Sequence, residues 1–169
     1  MTSSRTPLLT GGCQCGTVRY ALYATPLKPS ICHCRMCQKA FGAYYAPLAS
    51  VKTEDIEWTR GEPKLFRSSS LVQRGFCAAC GTPLTYEFDG EGQVAVSLGS
   101  LDDPAAVKPI VQYGIEARMP WIAELAGLPG VVTEDDMPPG ALDRMVNHQH
   151  PDHETRDWPP AGGDRKESR

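Results

Sequence analysis

Apolar and polar residues along this chain alternate in short runs and never settle into a long helical period. Val18, Tyr20 and Leu22 share one parity with Arg19 between them, the period-two signature of a strand. Residues 43–51 (A-Y-Y-A-P-L-A-S-V) predict another strand. Pro47 has no N–H to give a ladder, so this strand is expected at an edge or at a bulge. Further short strands are predicted at residues 63–68, 71–76, 83–88, 93–98 and 108–113. Turn signals separate them: R-G-E-P at Arg60, C-G-T-P at Cys80 and F-D-G-E-G at Phe88. Helix is predicted only for a turn or two at residues 35–41 and a short piece at 121–126. The fold class is therefore mostly β, with many short strands and little helix.

The pattern weakens at both ends. Residues 1–10 read as a flexible leader, 11–132 as the β domain, and 133–169 as an acidic, proline-rich tail. The tail holds nine acidic side chains, five basic ones and five prolines, too little apolar surface to order itself alone. Docking onto the body through Met145, Val146 or Trp158 is the exception considered. Its charge of −4 leaves the body at +1 out of the total of −3, so no field for a polyanion exists and nucleic acid is not an expected partner. No apolar run is long enough for a membrane span, and the first ten residues lack the apolar stretch of a signal peptide. The expected compartment is the cytoplasm, where thiols stay reduced. Short strands with exposed edges leave room for a homo-oligomer.

The seven cysteines carry the chemistry. They fall as C-x-C (Cys13, Cys15), C-x-C-x2-C (Cys32, Cys34, Cys37) and C-x2-C (Cys77, Cys80). An odd number cannot all pair as disulfides, and buried thiols need no such spacing. The pattern points to metal ligation, with zinc the ion that thiolates suit. Cys77-Ala-Ala-Cys80-Gly has the form of a zinc knuckle that needs two more ligands, and Cys13 with Cys15 is a pair in search of a pair. Four plus three is the natural partition of seven. A closed set of four is the structural kind of zinc site. A set of three keeps a position open for water or substrate, as catalytic sites do. An iron–sulfur cluster fits less well, because the three-cysteine set falls short of four. His33 stands between two of the ligands and is expected to turn away from them. His148, His150 and His153 lie in the polar tail and read as solvated.

In chain order, G-G-C-Q-C-G-T-V-R-Y, C-H-C-R-M-C-Q-K-A-F-G-A, R-G-F-C-A-A-C-G-T-P-L, L-G-S-L-D-D-P and P-W-I with L-P-G follow one another. Over residues 11–132 the chain resembles the family of glutathione-dependent formaldehyde-activating enzymes, which also includes the centromere protein V type. The resemblance implies a β-tent of small twisted sheets meeting along zinc-binding turns. It implies a structural zinc on Cys13, Cys15, Cys77 and Cys80, and a second, more labile zinc on Cys32, Cys34 and Cys37. It further implies a carbon–sulfur lyase that joins glutathione, or a related small thiol, to formaldehyde as an S-hydroxymethyl adduct. A non-catalytic, zinc-stabilised scaffold is the alternative within the same resemblance. Glutathione carries two carboxylates, so cations near the open site matter. Arg35, Lys39 and Arg74 are the nearest in sequence, each read first as a solvated cation. Phe41, Tyr44 and Tyr45 read as core, or as the wall of a pocket.

Overall fold

The structure is a computed structural model that describes residues 5–159. The first four residues of the leader and the last ten of the tail lie outside them. Ten strands form two sheets among the described residues. A small sheet holds β1 (Leu9–Gly12), β2 (Arg19–Leu22) and β5 (Ile56–Arg60) in the order β1-β2-β5. The large sheet runs β10-β3-β4-β9-β8-β7-β6, built from β3 (Leu27–Cys32), β4 (Ala46–Lys52), β6 (Lys64–Arg67), β7 (Val72–Phe76), β8 (Pro83–Phe88), β9 (Gln93–Ser97) and β10 (Val111–Tyr113). All pairings are antiparallel except β10 with β3. The chief α-helix of the domain, α1 (Arg35–Phe41), follows β3 and ends on Gly42 in the left-handed conformation.

The main core lies between the sheets. Tyr20 and Leu22 of β2 meet Val51, Leu84, Val96, Leu98 and Leu101, all buried. Tyr20 packs edge-on against Trp58, and its hydroxyl pairs with Ser100 Oγ at 2.8 Å. A smaller cluster on the other face of the large sheet gathers Cys37, Ala46, Leu48 and Ala95. The period of two explains the division. Ala49 and Val51 of β4 face the main core, while Ala46 and Leu48 face the second cluster.

Three strands escaped the sequence pattern: β1, which begins inside the stretch read as leader, β3 and β5. Of the edge or bulge expected of Pro47 the edge is overturned, because β4 sits between β3 and β9, while the β3–β4 ladder does carry an irregularity, between Leu27 and Ser30. The proline is tolerated because it lies near the start of the strand, and the ladder to β9 begins only at Leu48.

The tail is not a solvated appendage throughout. His150 is buried, and its N–H donates to the Gln14 carbonyl at 2.8 Å. Trp158 Nε1 donates to the Cys15 carbonyl at 2.8 Å and packs edge-on against His150. Arg60 reaches Gly16 O at 3.1 Å and the Thr155 hydroxyl at 3.0 Å. Arg19, itself buried, holds Asp102 at 2.7 Å and tail residue Glu154 at 2.9 Å. Residues 148–159 thus form a strap across the C-x-C turn. Trp158 is the anchor, whereas Met145 and Val146 stay exposed. His150 corrects the reading of the tail histidines as solvated. Composition cannot show that partners on the body, Arg19 and Arg60, wait for this segment.

Candidate metal centres

Cys13, Cys15, Cys77 and Cys80 converge although 62 residues separate Cys15 from Cys77. The turn after β1 and the turn after β7 bring them together. The two turns are built alike. Each carries Cys-Gly-Thr, and each glycine is left-handed, φ 74° at Gly16 and 79° at Gly81, a conformation that glycine adopts without strain. Each threonine hydroxyl approaches the cysteine sulfur two residues earlier, Thr17 to Cys15 at 3.1 Å and Thr82 to Cys80 at 3.2 Å. The recurring C-G-T was visible in the sequence, and its meaning is this pair of matched turns. The Val18 amide also donates to Cys13 Sγ at 3.2 Å.

The geometry fits a tetrahedral ion. Cys13 and Cys15 sulfurs lie 3.5 Å apart, and Cys15 and Cys77 sulfurs 3.8 Å. A zinc with bonds of about 2.3 Å would place its sulfurs roughly 3.8 Å apart. Burial pushes the Cys13 thiol up to about 12 and raises Cys77. At Cys80 the cost of burial is outweighed by hydrogen bonds with Thr82 and Cys15, which bring the thiol down to about 6.

Cys32, Cys34 and Cys37 form the second cluster, with sulfurs all within 4.8 Å of one another. Cys32 ends β3, Cys34 caps α1 by accepting from the Cys37 amide at 3.4 Å, and Cys37 lies in the helix, buried. Gln38, also buried, ties the segment to the chain after β10 by donating to the carbonyls of His33 at 2.8 Å and Ala117 at 3.0 Å. A side chain at Gly114 would collide with the Cys34 backbone nitrogen at 2.7 Å, so that neighbour must be glycine. Burial pushes Cys32 up to about 12 and raises Cys37. At Cys34 burial is outweighed by hydrogen bonds with Cys37 and Cys32 and by the charge of Arg74, and the thiol is lowered. Each cluster thus sets one lowered thiol, Cys80 or Cys34, beside raised ones, Cys13 and Cys77 or Cys32 and Cys37. A cation among such sulfurs would offset their mutual repulsion. Both clusters could hold a metal ion.

Their surroundings differ. The three-cysteine set lies at the wall of a cavity of about 310 Å³, which also touches Lys28, Met36, Leu48, Arg74, Tyr86 and Tyr113. Of the cations expected nearby, Arg74 is there and is buried, not solvated. Lys39 lines the adjoining hollow instead, and Arg35 donates to Gln38 at 3.1 Å. Lys28 was missed. It sits at an irregularity between Leu27 and Ser30 with φ 45°, a backbone state that no local motif announces. His33 does turn away: Nε2 meets Gln112 Oε1 at 3.0 Å, and the ring packs edge-on to Tyr45. Phe41 packs on the second core cluster, while Tyr44 is exposed against Trp121.

A two-sheet, mostly β domain with four cysteines in paired turns and three beside a cavity defines a class of cysteine-rich, potential zinc-binding proteins. The family model described as glutathione-dependent formaldehyde-activating enzyme matches residues 8–116, and the chain belongs to that family. A crystal structure of a Rhodobacter sphaeroides protein resembles it at TM-score 0.50 and 21% identity, covering 61% of this chain and 98% of that one. That likeness concerns the fold alone. No curated protein matches the chain. The strap, residues 148–159, lies beyond the family match.

Proposed function

We propose that the protein is a zinc-dependent carbon–sulfur lyase of the formaldehyde-activating type, joining glutathione or a related thiol to formaldehyde or another small electrophile. One observation carries the reading. Three thiols that can share an ion meet beside an open cavity, while the other four close on themselves. Cys32, Cys34 and Cys37 would hold the reaction's zinc, and Cys13, Cys15, Cys77 and Cys80 a structural one.

A thiol of ordinary pKa is mostly protonated at neutral pH, and its thiolate is the nucleophile. A zinc held by Cys32, Cys34 and Cys37 would supply Lewis acidity that lowers the pKa of a thiol at its fourth position. The chain's own task is then to seat the thiol and exclude wrong orientations. Tyr86, Leu48 and Tyr113 give the cavity apolar walls for the substrate's body, and Lys28 offers a cation at its rim for a carboxylate. The overall step adds the thiol S–H across the aldehyde C=O. A carbon–sulfur bond forms, the π electrons go to oxygen, and the proton ends on that oxygen. The addition is facile without help, so seating and deprotonating the thiol suffice.

Exchange NMR on glutathione and formaldehyde tests this. Faster adduct formation with micromolar protein than in the blank is expected, with loss of the difference in Cys34→Ser. Equal rates would remove the formaldehyde assignment.

A further inference from the structure

We infer that Arg74 is the internal counter-ion of the three-cysteine site and positions the site's charge for a divalent metal. This rests on reading Cys32, Cys34 and Cys37 as a metal site. Arg74 is 7% exposed, yet among the described residues no carboxylate pairs with it. A buried guanidinium without an acidic partner is costly. The fold nonetheless fixes it firmly. Nε donates to Ser68 Oγ at 3.1 Å, and the guanidinium carbon stands 5.0 Å from the Tyr86 ring centroid. Nη2 donates to Cys37 Sγ at 3.3 Å, and Nη1 is buried without a partner.

What faces this charge is sulfur. Three ligating thiolates around a divalent ion leave a net −1, and one guanidinium brings the buried group to zero. A positive charge placed here suits the loaded site better than the empty one, because three thiolates around a divalent ion set a full negative charge against it. Burial against Tyr86 alone would explain a cation over a ring. It would not explain the N–H aimed at a ligand sulfur. A bond to sulfur also withdraws charge from the ligand, which fixes the Cys37 rotamer and leaves more of the ion's acidity for the open position.

Cobalt uptake tests this without thiol or aldehyde. In Arg74→Met, competition against a chromophoric chelator should show the three-cysteine site weakened about tenfold or more, the range for lost partners of metal ligands, with the four-cysteine site unchanged. The sulfur-to-cobalt charge-transfer band should move to lower energy, because the thiolate loses a donor. Arg74→Lys should recover part of the affinity. Should Arg74→Met fail to fold, Ser68→Ala, which frees the guanidinium without removing its charge, should shift the same band by a smaller amount in the same direction. Unchanged affinity and spectrum, or equal weakening at both sites, would overturn the counter-ion role. Wild type binding a single cobalt would overturn the metal reading beneath it. A failed formaldehyde assay would touch only the proposed reaction.

Discussion

The two cysteine clusters use the same donor atom at similar spacing and end in opposite circumstances. The first joins turns from both sheets across 62 residues and lies under the strap. The second spans six residues at the end of one strand and the start of one helix, beside a cavity. The role of a thiolate set depends on how much chain it ties together and on what lies on its free side. Sequence spacing counts ligands, and topology decides whether losing the ion costs the fold or only the site.

Removing one ligand from each cluster separates the two roles most clearly. Binding of structural zinc in small domains is worth about 10–16 kcal/mol and is largely folding free energy. Cys80→Ser should therefore give insoluble or unfolded protein. Cys34→Ser should stay soluble, melt close to wild type, and hold one zinc fewer. Circular dichroism and metal analysis decide it, and the opposite pattern would reverse the two roles.

A second test asks whether the strap belongs to the first cluster. Composition alone would let the tail be removed at little cost. The contacts of Glu154, Thr155 and Trp158 argue otherwise, so ending the chain at Asn147 should lower the melting temperature by several degrees. It should speed chelator extraction of the first zinc and leave the second unaffected. Gly16→Ala should reproduce part of this. A Cβ there would lie 2.4 Å from the His150 ring, on a backbone at φ 74°, at a cost of about 1–3 kcal/mol.

The smallest effect is a pH dependence. Burial lowers the His150 pKa, helped by the charges of Arg19 and Arg60. A folded pKa below the unfolded value near 6.5 means that the unfolded chain binds the proton more readily. Stability from the strap is therefore complete above about pH 6.5 and declines as pH falls through that value toward the lowered one. Melting curves from pH 7.5 to 5.5 should show the decline, and His150→Gln should flatten it.

Much of this was legible in the sequence. Strand β8 and helix α1 stand where the pattern put them, because alternation and turn residues there act locally. The grouping of cysteines followed from their number and spacing. Pro47 misled as to the edge, because the cost of a missing N–H depends on where the neighbouring ladder begins, which is a property of register. Lys28 was hidden by a backbone irregularity, and Arg74, named as a nearby cation, was read as solvated because nothing in the sequence signals that a cation's partner is sulfur. Trp158 was among the docking candidates, but its partner and the burial of His150 were hidden because Cys15 and Gln14 lie more than 130 residues upstream.

Chain order gives the strap a consequence in time. Cys80 completes the first cluster 78 residues before Trp158 is made. At about 5–20 residues per second, synthesis leaves several seconds in which all four sulfurs exist and the anchor of their cover does not. An ion arriving during translation meets a bare pair of turns, whereas one arriving later meets Trp158 and His150 already seated on Cys15 and Gln14. Were the first cluster to hold an ion, it would load most easily before Trp158 and His150 close over the C-x-C turn.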